Sequence, residues 1–274
     1  MDGGPLPEWA QGLILGLLQG FTEFLPVSSS AHLVVLPALG QWTYFGKIFD
    51  VALHCGTLAA LLVYFRAEVA RLLRAFLDLV RHRAVEGDPY RYLVLLLLLG
   101  SIPVAVVGWL VEEKVEELFN GIGAIATMLI VFGVALRRAE VRGAHERTLW
   151  TLSWREALAV GAAQALAVMP GVSRSGATMT AGLLLGLTRE EAARFSFLLS
   201  LPAIAGAALL KATRLASDPA GTSLWVPTLL GMLAAAVSGF LCIHYLLGFL
   251  RTGSFLPFVI YRVVLGLGLL LFLW

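Results

Sequence analysis

Six long apolar stretches constrain what this chain can fold into. They cover residues 47–65, 91–111, 118–136, 190–211, 225–250 and 255–274. A helix of roughly 20 apolar residues crosses the ~30 Å hydrocarbon core of a bilayer, so each stretch predicts a transmembrane helix. The composition agrees, because 59% of the 274 residues are hydrophobic, 14% are charged and the mean hydropathy is +0.85. These values exclude a soluble globular enzyme and a disordered chain, and they predict an all-α polytopic membrane protein.

The few charged and cysteine residues limit the expected partners. A net charge of +2 leaves no broad basic surface, so we expect membrane lipids around the protein and no nucleic acid. Cys55 and Cys242 lie inside apolar stretches, which predicts neither a disulfide framework nor a cysteine-based zinc site. Residues 1–9 contain no basic region or small-residue cleavage pattern, so we expect no removable signal peptide.

The arginines predict the orientation of the chain. Six lie between Arg66 and Arg91 and five between Arg137 and Arg155, and loops rich in arginine are cytoplasmic. The acidic link from Glu112 to Glu117 lies between these two stretches and fits a solvated loop on the outer face. Residues 67–83 alternate basic and apolar side chains at helical spacing, which predicts an amphipathic helix on the cytoplasmic surface.

Two further apolar segments, 9–40 and 154–187, are each interrupted centrally by proline and small polar residues. An offset of 145 residues aligns one with the other, pairing Trp9 with Trp154, Gly16 with Gly161, Gln19 with Gln164, Ser28 with Ser173 and Ser30 with Ser175. Each segment opens a half with three spans, and an odd number of crossings inverts the second half. The sequence therefore predicts one membrane domain, 1–274, built as an inverted-topology repeat of about 8–137 and about 153–274.

The interrupted segments predict two re-entrant helix hairpins, since non-helical backbone at membrane depth must be surrounded by protein or water. Their tips, 26–30 and 170–176, are expected to meet near the midplane of the bilayer. Each tip begins a second short helix, and helix N-termini attract anions through free N–H groups and a partial positive charge. With the tip hydroxyls and Arg174, the two tips predict an anion-binding site.

The first hairpin also carries groups suited to hydrolysis. Glu23 follows Gln19 by one helical turn, and a carboxylate at this depth is costly unless it has a function. Serines and His32 follow within fourteen residues of Gln19. Carboxylate, hydroxyl and imidazole together favour hydrolysis of an anionic substrate held by Arg174, whereas Ser28 and Ser173 fit better as helix N-caps.

The residues around both tips closely resemble the two signature motifs of the bacterial undecaprenyl-diphosphatase family, which is associated with bacitracin resistance. Residues 19–32 read Gln-Gly-Phe-Thr-Glu-Phe-Leu-Pro-Val-Ser-Ser-Ser-Ala-His, and residues 170–178 read Pro-Gly-Val-Ser-Arg-Ser-Gly-Ala-Thr. The resemblance spans the whole chain. It implies removal of the terminal phosphate from a C55 polyprenyl diphosphate in the bacterial cytoplasmic membrane, with the site open to the outer face. The monophosphate would return to the lipid-carrier cycle of peptidoglycan synthesis.

Carried onto this chain, the resemblance implies a role for each motif residue. Glu23 would bind a divalent cation, Mg²⁺ or Ca²⁺, or act as acid or base, with Gln19 beside it. Many relatives have glutamate where this chain has Gln19, which weakens a mechanism with two carboxylates on one metal. Ser29 is the candidate nucleophile and His32 its neighbouring acid or base, while attack by an activated water stays open. The diphosphate would be held by Ser28, Ser30, Gly171, Ser173, Arg174, Ser175, Gly176 and Thr178.

Some alternatives stay open. Asp50 and His54 either face the site or form a solvated helix entrance, and Gln164 is a further candidate by its alignment with Gln19. A transporter or flippase of a phosphorylated lipid or solute is the strongest rival function, because inverted repeats with broken helices are typical of transporters. Glu23 and His32 have no counterparts at Val168 and Ala177, which favours the enzyme. A membrane scaffold would leave the buried Glu and Arg unexplained, and a homodimer is left open.

Overall fold

The computed structural model describes residues 6–42, 45–82, 84–85, 87–119, 121–215 and 225–272. These ranges fold into eleven α-helices and contain no β-strand, which confirms the all-α class. The helices are α1 (Glu8–Phe24), α2 (Ser29–Gly40), α3 (Lys47–Tyr64), α4 (Arg66–His82), α5 (Pro89–Phe119), α6 (Ile122–Arg142), α7 (Trp154–Ala165), α8 (Arg174–Leu184), α9 (Arg189–Leu215), α10 (Trp225–Leu250) and α11 (Leu256–Phe272).

The described residues of the six predicted spans are mostly helical, and the lengths of these helices support a polytopic membrane protein. By length and apolarity, four helices of the described chain can cross a bilayer: α5, α6, α9 and α10. The α3 helix qualifies together with α4, from which it is bent by 89°. Since α11 has only 17 residues, its membrane crossing and the total of six spans remain predictions. The first five residues and residues 273–274 lie outside the described chain, so the expected absence of a signal peptide is also untested.

The acidic link is helical, so the prediction of a loop at Glu112–Glu117 is wrong. The α5 helix continues through it to Phe119 and is followed by α6 from Ile122. Glutamate and lysine are strong helix formers, and the next glycine after the apolar run of α5 is Gly121. The side chains of Glu112, Glu113, Glu116 and Glu117 lie outside the described residues.

The predicted surface helix is α4. Its buried side, at Leu72 and Ala75, joins the largest hydrophobic core, and α4 packs against α5. Leu73, Leu77 and Val80 project from another side and are exposed. This division into a packed side and an exposed apolar side agrees with an amphipathic helix at a membrane surface. Arg83, at the end of the predicted range, lies outside the described residues.

Both predicted hairpins form, and each packs against a long helix from the other half of the chain. Helix α1 lies along α10, with Gly16 facing Gly231, while α7 lies along α5, with Gly161 facing Gly100. A Cβ atom on Gly16 or Gly161 would overlap the backbone of the facing glycine, so these helices approach as closely as small residues allow. The matching contacts at aligned glycines are what an inverted repeat predicts, although its boundaries stay predictions.

The base of the second hairpin is fixed by polar contacts at the start of α7. The Ser153 side chain caps α7, and Glu156 completes a capping box with it. Arg147 donates hydrogen bonds to Glu156 Oε1 at 2.6 Å and Oε2 at 3.1 Å. The pKa of Glu156 is lowered to about 2, chiefly by its hydrogen bonds with Arg147 and also by those with Ser153. A charged pair therefore anchors the point where the second hairpin starts.

Candidate active site

The two hairpin tips adopt the same backbone turn. Ser28 precedes α2 with φ of 76°, and Ser173 precedes α8 with φ of 73°. The Ser28 hydroxyl accepts a hydrogen bond from the Ala31 backbone N–H at 3.4 Å, and that of Ser173 accepts one from Gly176 N–H at 3.1 Å. Both serines are therefore N-caps, as predicted. The left-handed φ is strained for a residue with a Cβ, and such strain is common where the fold holds a functional turn.

The tips meet across the two halves of the chain. Arg174 Nη2, at the start of α8, donates to Glu23 Oε1 of α1 at 3.0 Å. The Ser175 hydroxyl donates to the Leu25 carbonyl oxygen, also at 3.0 Å. These contacts join residues 151 and 150 positions apart in sequence. The convergence predicted from the repeat is thus present in the structure.

A compact polar cluster surrounds Glu23, whose side chain is only 6% exposed. The Ser29 hydroxyl donates to Glu23 Oε2 at 2.7 Å, and Gln19 Nε2 donates to the same oxygen at 3.0 Å. His54 Nε2 of α3 lies 3.9 Å from Oε2. The structure therefore brings His54 to the site, which the sequence had left undecided. Of Asp50, the contact that matters here is its backbone oxygen, 2.8 Å from His54 Nδ1, which orients the imidazole.

The pair between Arg174 and Glu23 leaves donor and acceptor capacity at the tips. Arg174 Nη1 is buried and has no hydrogen-bond partner among the described residues, and the same holds for Gln19 Oε1. A buried guanidinium N–H without an acceptor is energetically unfavourable, so the group is suited to receive an anionic oxygen. Ser30, in the first tip, is exposed, and its Oγ lies 3.2 Å from Ser28 Oγ.

His32 lies apart from the serine that it was expected to assist. Its Nδ1 is 2.7 Å from the Ser28 carbonyl oxygen, and its Nε2 is 2.6 Å from the Tyr261 hydroxyl. Both ring nitrogens are thus engaged, and the atom beside the Ser29 hydroxyl is a Glu23 oxygen. His32 lies one helical turn after Ser28, and its ring is oriented by the hydrogen bond with the Ser28 backbone carbonyl. The geometry gives Ser29 a carboxylate neighbour in place of the expected imidazole.

The remaining motif residues support the tips from below. Thr178 Oγ1 donates to the carbonyl oxygen of Arg174 at 2.9 Å and lies 2.6 Å from Ser196 Oγ, so it is not part of the Glu23 cluster. Gly176 supplies the capped N–H of the second tip. Gly171 has φ of +93° and packs against α6, where a Cβ would lie 2.6 Å from the Ile125 oxygen. Gln164 is fully buried, and neither side-chain atom has a partner in the described chain.

Arg262 of α11 is the residue that sequence reasoning missed. It is 0% exposed and donates to the Pro26 carbonyl oxygen from Nη1 and to those of Gly171 and Val172 from Nη2, each at 3.0 Å. One guanidinium thus holds the carbonyls of both tips. The signal was available, since an arginine inside the last apolar stretch is a functional candidate by default. Its contacts are to backbone atoms, which no side-chain motif reveals.

The residues of the site supply only part of the set of ligands that a divalent cation needs. No group of three or more His, Cys, Asp and Glu side chains able to hold a metal occurs in the described part of the chain. The Glu23 carboxylate and the unpartnered Gln19 Oε1 are two oxygen donors one helical turn apart. Mg²⁺ often binds through one or two protein oxygens together with substrate phosphates and water, and such a site is compatible with this pair.

Comparison with known proteins agrees with this geometry. Residues 12–268 match the family described as bacitracin resistance protein BacA. The chain is 47% identical to the undecaprenyl-diphosphatase of Pelobacter propionicus over 257 residues, covering 93% of each chain. It is 46% identical to that of Nitrosococcus oceani, covering 93% of this chain and 95% of the relative. It is 45% identical to that of Thermomicrobium roseum, covering 95% and 96%. This chain belongs to the bacitracin resistance protein BacA family.

Proposed function

We propose that the protein is an undecaprenyl-diphosphatase, which hydrolyses a C55 polyprenyl diphosphate to its monophosphate and inorganic phosphate. The observation that carries this proposal is the contact between the tips, where Arg174 of one hairpin lies 3.0 Å from Glu23 of the other. A phosphatase needs a positively charged group that binds the phosphate and an acid–base group beside it. The contact between Arg174 and Glu23 brings two such side chains together. The relatives named undecaprenyl-diphosphatase along almost the whole chain support the same reaction.

The geometry favours Glu23 as the base for the attacking oxygen. Its Oε2 accepts a hydrogen bond from the Ser29 hydroxyl at 2.7 Å. In the reaction, the Ser29 oxygen or a water in its place would bond to the terminal phosphorus as Glu23 takes its proton. The anhydride P–O bond would break, and the monophosphate lipid would leave. If Ser29 attacks, water would then release phosphate from the serine.

Arg174 and the tip N-termini would hold the phosphates during this transfer. Arg174 Nη1 has the donor capacity for a phosphate oxygen, and phosphoryl transfer depends mostly on positioning and charge neutralisation. Glu23 and Gln19 are the residues that would hold Mg²⁺ or Ca²⁺. When bound, the cation would neutralise charge on the diphosphate. His32 would act indirectly, by bonding the Ser28 carbonyl at the base of the tip.

We further propose that the protein lies in the bacterial cytoplasmic membrane with the site open to the outer face. The arginines at Arg66–Arg91 and Arg137–Arg155 support this orientation, because cytoplasmic loops carry excess positive charge. Cysteine labelling of single-cysteine variants at 86 and 146 in intact spheroplasts tests it. Both positions should be protected from a membrane-impermeant reagent, and labelling of both would reverse the orientation.

The decisive experiment for the activity is phosphate release from C55 polyprenyl diphosphate by purified protein, with and without chelator. Arg174→Ala is expected to abolish release, whereas Arg155→Ala, an exposed arginine at the start of α7, should leave it unchanged. Loss of release with chelator and recovery with Mg²⁺ or Ca²⁺ would support the cation.

Ser29→Ala distinguishes the two forms of attack. Loss of all release supports the serine nucleophile, while a residual chelator-sensitive rate supports water. Ser101→Ala is the matched control, since among the described residues the Ser101 hydroxyl bonds only within α5, to the Leu97 carbonyl at 2.7 Å. No release from folded wild type with either cation would overturn the enzyme proposal in favour of transport. The sequence left a homodimer open, and light scattering of the detergent-solubilised protein tests for it.

A further inference from the structure

A groove of about 490 Å³ lies between α6 and α8. None of its lining residues belongs to the Glu23 cluster. Its wall is apolar along most of its length and includes Ile130, Val131, Val134, Ala135 and Leu184. Val131 of α6 is 50% exposed and Leu184 of α8 is 61% exposed. The α6 helix is long and apolar enough to span the bilayer. The groove therefore opens to the acyl chains of the membrane.

Two arginines line one end of this α6–α8 groove. Arg138 and Arg142 lie one helical turn apart on α6, and both are exposed. In the described chain neither forms an ion pair or a side-chain hydrogen bond. Their neighbour Arg137, by contrast, pairs with Glu140 at 2.8 Å. Two guanidinium groups are thus available at the groove, and guanidinium binds phosphate oxygens through paired N–H donors.

The spacing of the apolar wall and the charged end matches one leaflet of a bilayer. Twelve residues separate Ile130 from Arg142, and at a rise of ~1.5 Å per residue they span about 18 Å. Half of a ~30 Å hydrocarbon core is about 15 Å, so an acyl chain along the wall would bring its headgroup to the arginines. The arginine-rich segment that follows predicts that this leaflet is the cytoplasmic one.

We propose that the α6–α8 groove binds an anionic phospholipid of the cytoplasmic leaflet. Its phosphate contacts Arg138 and Arg142, and one acyl chain lies along the apolar wall. Thr180, the polar residue of α8 in the groove, donates its hydroxyl to the Gly176 carbonyl at 2.6 Å and adds little polarity to the wall. The bound lipid lies against α8, the helix that begins at Arg174, but it is separate from the site that holds the diphosphate.

The test is native mass spectrometry of delipidated, full-length protein titrated with phosphatidylglycerol or phosphatidylcholine. Wild type should retain phosphatidylglycerol in preference to phosphatidylcholine. The double variant Arg138→Gln/Arg142→Gln should weaken phosphatidylglycerol binding by about tenfold or more, because both phosphate contacts are lost. The matched control Arg74→Gln/Arg81→Gln removes two exposed arginines from α4, with the same loss of charge, and should bind as wild type.

A variant without a charge change tests the apolar wall. Ala135→Trp fills the groove at a partly exposed position and should weaken binding of phosphatidylglycerol as strongly as the arginine variant. Equal loss in the α4 control would reveal general attraction to positive charge and overturn the proposal, as would equal binding of both lipids by wild type. Elution as a single species in gel filtration confirms that each variant is folded.

Discussion

The tips of the two hairpins have the same backbone conformation but carry different functional side chains. Each tip begins with a serine in the left-handed region, Ser28 at 76° and Ser173 at 73°. In each tip this serine caps the next helix, and its Oγ lies 3.2 Å from the Oγ of the serine two residues later. The repeated turn directs the N-termini of two helices to the same place. A pair of N-termini provides a general site for anions.

The two hairpins differ in the groups that we propose to take part in the reaction. The first carries Glu23 and Ser29 in contact with each other, whereas the second contributes Arg174. Gln19 bonds Glu23, but the aligned Gln164 has no partner in the described chain. The shared turn thus fits the proposed anion-binding framework, and the residues that differ between the hairpins fit the proposed acid–base chemistry. The two copies should therefore respond very differently to equivalent substitutions.

The largest difference is expected at Glu23. Glu23→Gln removes the acceptor of the Ser29 proton and keeps the size of the side chain. We expect phosphate release to fall by about 10²–10⁴-fold, the usual contribution of a general base. Glu8→Gln, at the exposed start of the same helix, is the control and should retain the wild-type rate. A Glu23→Gln enzyme with more than a tenth of the wild-type rate would contradict the assignment of the base.

The next largest effect is expected where the two hairpins are joined. Arg262→Lys keeps the charge but cannot reach the Pro26 and Gly171 carbonyls together. Misplacement of the tips by ~1 Å can cost about 10²-fold, so we expect release to fall by about 10- to 100-fold. The thermal unfolding midpoint should fall as well. Arg251→Lys, an exposed arginine paired with Glu190, is the control, and equal effects of both changes would argue against the bridge.

Features of the fold that depend on local pattern could be predicted from the sequence. The apolar stretches, the breaks at Pro26 and Pro170 and the capping serines follow from helix length and turn chemistry within a few residues. The meeting of the tips followed from the 145-residue offset, because an inverted repeat brings equivalent segments together. The acidic link was predicted wrongly because charge was taken as a sign of a loop, although helix propensity favours continuation of α5.

Features of the site that depend on distant contacts could not be predicted. Arg262 is 236 residues from Pro26, and Tyr261 is 229 residues from His32. Their partners are set by how α11 packs beside both tips, which no local pattern encodes. His54 reached the cluster for the same reason, by the packing of α3. The motif identified the candidate residues, whereas the pairing among them required the three-dimensional structure.

A smaller effect should distinguish the aligned glutamines. Gln19→Leu removes a hydrogen bond to Glu23 and should lower phosphate release by about tenfold, the equivalent of ~1.4 kcal/mol. Gln164→Leu replaces a buried amide that has no partner among the described residues, so the rate should stay and the free energy of unfolding should rise by about 1 kcal/mol. Activity and denaturant unfolding of the two variants test this. Similar losses of activity in both would mean that the second hairpin also contributes to the chemistry.

The capping serines should instead respond alike. Ser28→Ala and Ser173→Ala each remove a cap and leave a Cβ in the left-handed region, so each should cost about 1 kcal/mol of unfolding free energy. Ser→Gly at either position should cost only a few tenths of a kcal/mol, since glycine adopts this φ without strain. Thermal unfolding of the four variants measures the pattern. A tip at which glycine is as harmful as alanine would point to a role for its hydroxyl beyond capping.

The smallest effect is expected at the start of the hairpins, where the two differ in their polar contacts. The second is fixed by Arg147 and Glu156, whereas α1 begins at Glu8 and its N-cap, Pro7, provides no side-chain hydrogen bond. The pKa of Glu156 is lowered from 4.5 to about 2, chiefly by Arg147 and also by Ser153, so the pair stabilises the fold above pH 4.5 and ceases to do so as pH falls towards 2. Both side chains are partly exposed, so the pair should contribute about 1 kcal/mol or less. Unfolding midpoints of wild type and Glu156→Gln should therefore differ at pH 6 and converge near pH 2 to 3. A constant gap would mean that Glu156 acts through its capping hydrogen bonds to Ser153, which an amide partly preserves, and not through its charge.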